Sequence, residues 1–104
     1  MNESKDIFIL IPSYNESEII RHTVETLLPQ GYSIVVIDDA SHVKVSEYLQ
    51  GCPVTVLRHS VNLGQGAALQ TGMDYALAHG AQAVIHFDAD GQHDFREIPA
   101  FLDA

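Results

Sequence analysis

Four short apolar runs recur along this chain, at residues 7–11 (IFILI), 33–37 (SIVVI), 54–57 (VTVL) and 83–87 (AVIHF), and two of the three segments between them carry helical periodicity. Runs that are apolar throughout, rather than alternating with polar residues, suit strands covered on both faces. Strands of that kind separated by helices form β-α-β units, with parallel neighbours joined by right-handed crossovers. The expected fold is therefore α/β, a doubly wound, Rossmann-like parallel sheet in the order 3-2-1-4.

The helices follow from spacing. Asn15 stands where an N-cap is needed, with Glu18 three residues on and Ile20, Val24, Leu27 and Leu28 on one face; Pro29 and Gly31 close that helix. A short helix over 43–49 links the second and third strands. A longer one over 64–79 carries Leu69, Met73, Ala76 and Leu77 on one face, lets the backbone approach the sheet at Ala68 and Gly72, and has Gly80 as its C′ residue.

A chain of 104 residues is one domain, 1–104. Its 46% apolar and 18% charged residues are ordinary for a globular protein. The net charge of −9 comes with no cluster of Lys and Arg to neutralise phosphates, so no nucleic-acid partner is expected, and a polyanionic ligand needs a metal as mediator. Cys52 is the only cysteine, which excludes an intrachain disulfide and a Cys-based zinc site and fits a reducing compartment; it is expected to be a small buried residue. No run approaches the roughly 18–20 apolar residues of a membrane span, and MNESKD lacks the features of a signal peptide. The expected location is cytoplasmic, at the membrane face if a longer protein carries membrane helices.

In doubly wound sheets ligands gather at the carboxyl ends of the strands, near the point where strand order reverses. The polar clusters PSYNE, DDAS, RHSVN and DADGQH all fall there. Alternate residues of an extended segment face the same way, so Asp88 and Asp90 can both face one hard cation, Mg²⁺ or Mn²⁺. The competing reading is a solvated acidic turn, with Asp94 capping a following helix; His86 and His93 are read as structural. Of the Asp38–Asp39 pair, either a nucleobase N–H acceptor or a turn cap fits. Pro12 fixes the turn after the first strand, Tyr14 offers a ring to a base or ribose, and Glu16 offers an acceptor. The loop Asn62-Leu63-Gly64-Gln65-Gly66 precedes a helix and can present backbone N–H groups to an anion.

PSYNE, VIDDAS, NLGQGAALQTG and FDADGQH, in that order and spacing, resemble the family 2 glycosyltransferases of the GT-A fold, and among them the polyprenyl- or dolichyl-phosphate sugar transferases. The resemblance implies that Pro12, Tyr14, Glu16, Ile37 and Asp39 surround the nucleoside of a UDP- or GDP-sugar. It implies that Asp88, Ala89, Asp90 and Gln92 form the metal and diphosphate site, a DXD motif with Asp90 and Gln92 nearest the Mg²⁺ or Mn²⁺ and Asp88 and Asp90 serving catalysis. The implied activity is inverting sugar transfer to a polyprenyl phosphate or a saccharide. Two positions depart from the pattern: the second motif continues as Ala40-Ser41-His42, and Gln65 stands where Lys or Arg is frequent.

The resemblance covers the donor-binding half of that fold, and what the family places after the metal motif, the acceptor half included, lies beyond residue 104. The chain alone is thus expected not to catalyse transfer. Two other classes share some features: a nucleotide-binding relic or regulatory module without transfer, and a phosphoacceptor receiver module. Against the last, the acidic pair follows the second strand rather than the first, and Asp88 comes somewhat late. In such a half-domain the fourth strand becomes an apolar edge. That edge invites a homodimer, or a C-terminal segment from residues 95–104 folded over it.

Overall fold

The computed structural model of the chain describes residues 6–88 and 96–98. Each of the four apolar runs is a strand: β1 (Ile7–Ser13), β2 (Ser33–Asp38), β3 (Thr55–Arg58) and β4 (Ala83–His86). They are mutually parallel in the order β3-β2-β1-β4. The helices between them are α1 (Ile19–Leu27), extended by a 3₁₀ turn over Leu28–Gln30, then α2 (Val45–Tyr48) and α3 (Gln65–Ala78).

The sheet is apolar on both sides because both sides are covered. Ile9, Ile11 and Val36 pack with Ile20, Val24 and Leu27 of α1 and Val45 of α2. On the opposite face Phe8, Leu10, Val35 and Ile37 pack with Ala68 and Ala76 of α3. Small residues bring α3 close: a Cβ at Gly72 would stand 2.8 Å from Cδ1 of Ile37 and 3.2 Å from Cδ2 of Leu10. Gly80 takes a φ of +83° just past α3, as its C′ position requires.

Three details differ from the sequence reading, and a fourth decides between alternatives it left open. Asn15 does not cap α1; it has a φ of +56°, and α1 begins later, after Glu18, without a side-chain cap. Leu77 of α3 is exposed, because the buried line of that helix runs through Ala68, Gly72 and Ala76. Cys52 is only partly buried, at the margin of the α1 face. The outer edge of β4 is not bare: β5 (Arg96–Ile98) pairs antiparallel with it, Val84 opposite Ile98 and His86 opposite Arg96. Of the two outcomes expected for that edge, a C-terminal segment laid against it is the one observed.

Candidate functional site

The carboxyl ends of β1, β2 and β4 open into a cleft of about 450 Å³. Pro12, Ser13, Tyr14 and Glu16 reach it from β1 and the turn beyond, and Asp39 from the end of β2. Asn62 and Gly64 border it from the loop before α3, Gln65 and Ala68 from α3 itself, and Asp88 from beyond β4. The position is the one that parallel topology prescribes, beside the switch between β1 and its two neighbours.

The two adjacent aspartates part company. Asp38 turns inward, fully buried, and its carboxylate accepts the N–H groups of Ser41 and Val45, 2.9 Å each, and the Arg58 guanidinium. Burial alone would raise its pKa; the hydrogen bonds from Val45, Ser41 and Arg58 outweigh it and hold the carboxyl below its ordinary range. Arg58 also donates to the Ser41 carbonyl. Asp38 thus starts α2 and ties it to β3.

Asp39 turns toward the loop before α3. Its Oδ1 accepts from Nδ1 of His59 at 2.7 Å and the N–H of Leu63 at 2.9 Å. Its Oδ2 accepts from the Asn62 amide at 2.9 Å and the N–H of Gly64 at 2.8 Å. Burial again opposes the charge, while His59 and the Leu63 and Gly64 N–H groups lower the pKa. An ionised carboxylate offers about four acceptor positions, so Asp39 is fully engaged with its own chain. It shapes the wall of the cleft by gathering residues 59–64. His59 is held in turn by the Thr71 hydroxyl, 2.8 Å from Nε2.

A second tie joins the turns after β1 and β2. The N–H of Asn15 donates to Oγ of Ser41, and the N–H of His42 donates to Oδ1 of Asn15. That is the work Asn15 does in place of capping, and the left-handed φ of Ala40, +66°, lets the β2 turn fold back to meet it. Tyr14, next to this tie, keeps its ring half-exposed at the cleft.

Of the residues expected at a site, Pro12, Tyr14, Glu16, Asp39 and Asp88 converge on the cleft. Ile37 does not: it is completely buried in the α3-side core, beneath the cleft. Ala89, Asp90 and Gln92, with His93 and Asp94, lie outside the described residues. Sequence reasoning did not single out His59, Asn62 or Ser13 for roles of their own. The Asn62 side chain was detectable only as a polar residue before a glycine turn, and no local pattern marks His59, whose partners lie 20 and 12 residues away.

Asp88 is half-buried, 3.3 Å from Nε2 of His86, which also meets the Gln65 amide at 3.2 Å. Among the described residues no three His, Cys, Asp or Glu side chains form a metal cage. Asp88, a hard carboxylate on an open cleft, nevertheless fits Mg²⁺, which takes few protein ligands and fills its shell with water and substrate phosphates. Among the described residues no helix is long and apolar enough to cross a membrane.

The sequence model of the family described as Glycosyl transferase family 2 matches residues 8–104. The uncharacterized protein MJ1222 of Methanocaldococcus jannaschii is 43% identical over 94 residues, which is 89% of this chain and 39% of that protein. The UDP-N-acetylglucosamine–dolichyl-phosphate N-acetylglucosaminyltransferase of Methanococcus voltae is 33% identical, over 86% of this chain and 43% of its own length. The polyprenol monophosphomannose synthase of Mycolicibacterium smegmatis is 34% identical, over 92% of this chain and 39% of its own. The chain therefore spans about two-fifths of the length of these relatives.

Proposed function

This chain belongs to glycosyl transferase family 2, and on that premise we propose that its cleft holds the nucleoside diphosphate of a UDP- or GDP-sugar, for inverting transfer of the sugar to a polyprenyl phosphate. The observation that carries this reading is the convergence of Pro12, Tyr14, Glu16, Asp39 and Asp88 on one cleft at the carboxyl edge of the sheet. Two relatives named for dolichyl phosphate and for polyprenol support the class of acceptor.

In this reading the exposed ring of Tyr14 packs on the base or ribose, beside Pro12 near the end of β1. Asp39 keeps the opposite wall, residues 59–64, in place. The diphosphate lies toward Asp88, which with Asp90 and Gln92 would hold Mg²⁺ or Mn²⁺. That cation would supply Lewis-acid neutralisation of the departing nucleoside diphosphate. A polyprenyl phosphate oxygen is anionic already and attacks the anomeric carbon without a general base. The charged side chains of the lining, Glu16, Asp39 and Asp88, are all acidic, which supports a cation as the mediator for a diphosphate.

Calorimetry with UDP and GDP, in Mn²⁺ and in chelator, tests the reading. Binding is expected in Mn²⁺ and much weaker in chelator, and Asp88→Ala should remove most of the difference. Equal affinity in both conditions would overturn the metal assignment, and no binding of either nucleotide would overturn the reading itself.

A further inference from the structure

Among the described residues, the hydroxyl of Ser13 is the one buried side-chain polar atom without a hydrogen-bond partner. Ser13 is the last residue of β1, only 3% exposed, and it lines the cleft. Polar groups buried in this way are normally paired, and an alanine would fill the same space without leaving a hydroxyl unmet.

The neighbours explain why no group among the described residues serves it. Ser13 pairs in register with Asp38, and its carbonyl accepts the N–H of Asp39 at 2.9 Å. Both of those carboxylates are taken up elsewhere, Asp38 by Ser41, Val45 and Arg58 and Asp39 by His59, Asn62, Leu63 and Gly64. The carboxylates of these two neighbours are thus engaged elsewhere. A hydroxyl both donates and accepts. It has no bond to give up in meeting a ligand in the cleft that Ser13 lines.

We infer that Ser13 is a ligand-bonding residue, its hydroxyl hydrogen-bonding the nucleoside portion of the bound nucleotide. The nucleoside is indicated because Ser13 stands between Pro12 and Tyr14 and against Asp39, whereas the diphosphate belongs with Asp88 at another strand end. The inference rests on the proposed function, since it takes the cleft to hold a nucleoside diphosphate.

The test compares the chain with Ser13→Ala by calorimetry in Mn²⁺, using UDP, GDP and inorganic diphosphate, alongside thermal melts without ligand. Nucleotide affinity should fall about three- to tenfold, the range of one net hydrogen bond. Inorganic diphosphate should bind both proteins equally, and the unliganded Tm should stay level or rise. Unchanged nucleotide affinity would overturn the inference while leaving the proposed function standing. So would an equal loss for inorganic diphosphate, or a clear fall in Tm, which would give the hydroxyl a structural task. If the unsubstituted chain binds neither UDP nor GDP, the proposed function fails and this inference falls with it.

Discussion

Adjacent carboxylates carry separate loads here. Asp38 is enclosed by donors from the turn after β2, from α2 and from β3, so removing its charge leaves Arg58 and two N–H groups facing an amide that can answer only part of them. Breaking a buried, hydrogen-bonded charge in this way costs about 3–5 kcal/mol, and Asp38→Asn should lose about 3 kcal/mol in a urea melt. The pH dependence has a definite sign. Burial pushes the carboxyls of Asp38 and Asp39 upward, but their hydrogen bonds prevail and both sit below the ordinary 3.8. The folded state therefore binds fewer protons than the unfolded chain around that value, and stability rises with pH through the window. Tm should be level from neutral pH down to about 5 and fall steadily below about 4. In Asp38→Asn that acid fall should be shallower; an unchanged slope would mean that other carboxylates dominate it.

Helix α3 offers a sharper test, because it carries two glycines in unlike surroundings. At Gly66 a Cβ would meet nothing within 4 Å, whereas at Gly72 it would meet Ile37 and Leu10 inside the core. Helix propensity favours Ala over Gly by about 0.8–1 kcal/mol at either position, while overpacking a core costs about 1–3 kcal/mol. Gly66→Ala should therefore raise stability, by less than about 1 kcal/mol since it lies in the first turn. Gly72→Ala should lower it by about 1 kcal/mol, with denaturant melts of both checking the opposite signs. If both substitutions stabilise, Ile37 and Leu10 yield more readily than a packed core should. The same helix illustrates what patterning conveys at this scale. The apolar period located α3 and its small-residue stripe, but Leu77 was assigned to the buried face when α3 packs through Ala68, Gly72 and Ala76 instead. Which of two overlapping stripes meets the sheet depends on the closeness of approach, and Gly72 sets that. Asn15 failed as a cap for a related reason: a partner 27 residues distant, His42, claims its side chain.

For the molecule as a whole, strand composition narrowed the sheet order to a few arrangements, of which the observed 3-2-1-4 is the simplest, since continuous apolar runs require two covered faces and crossovers are right-handed. It was enough to put the polar motifs at one edge. It did not disclose that Asp39 is used up in holding residues 59–64, because four donors spread over that loop become neighbours only once the fold has formed. Nor did it decide how the β4 edge is met. β5 leaves a signature there that can be measured. The N–H of Phe87 donates to Leu10 of β1, and amides alternate in direction along a strand, so the Ile85 N–H also points to β1 while those of Val84 and His86 point to β5. Hydrogen exchange should find Val84 and His86 protected along with Ile85. In a chain ending at residue 95, Val84 and His86 should lose protection selectively while Ile85 keeps it. The uncovered apolar edge should then drive association, which sedimentation would detect as a rise in mass with concentration. Salt should strengthen that association, since the shortened chain keeps all but one unit of the full chain's net charge of −9, which opposes it until screened over about 8–10 Å. Free exchange at Val84 and His86 in the untruncated chain would mean that β5 does not pair with β4 in solution, and the edge would again be open to a second copy.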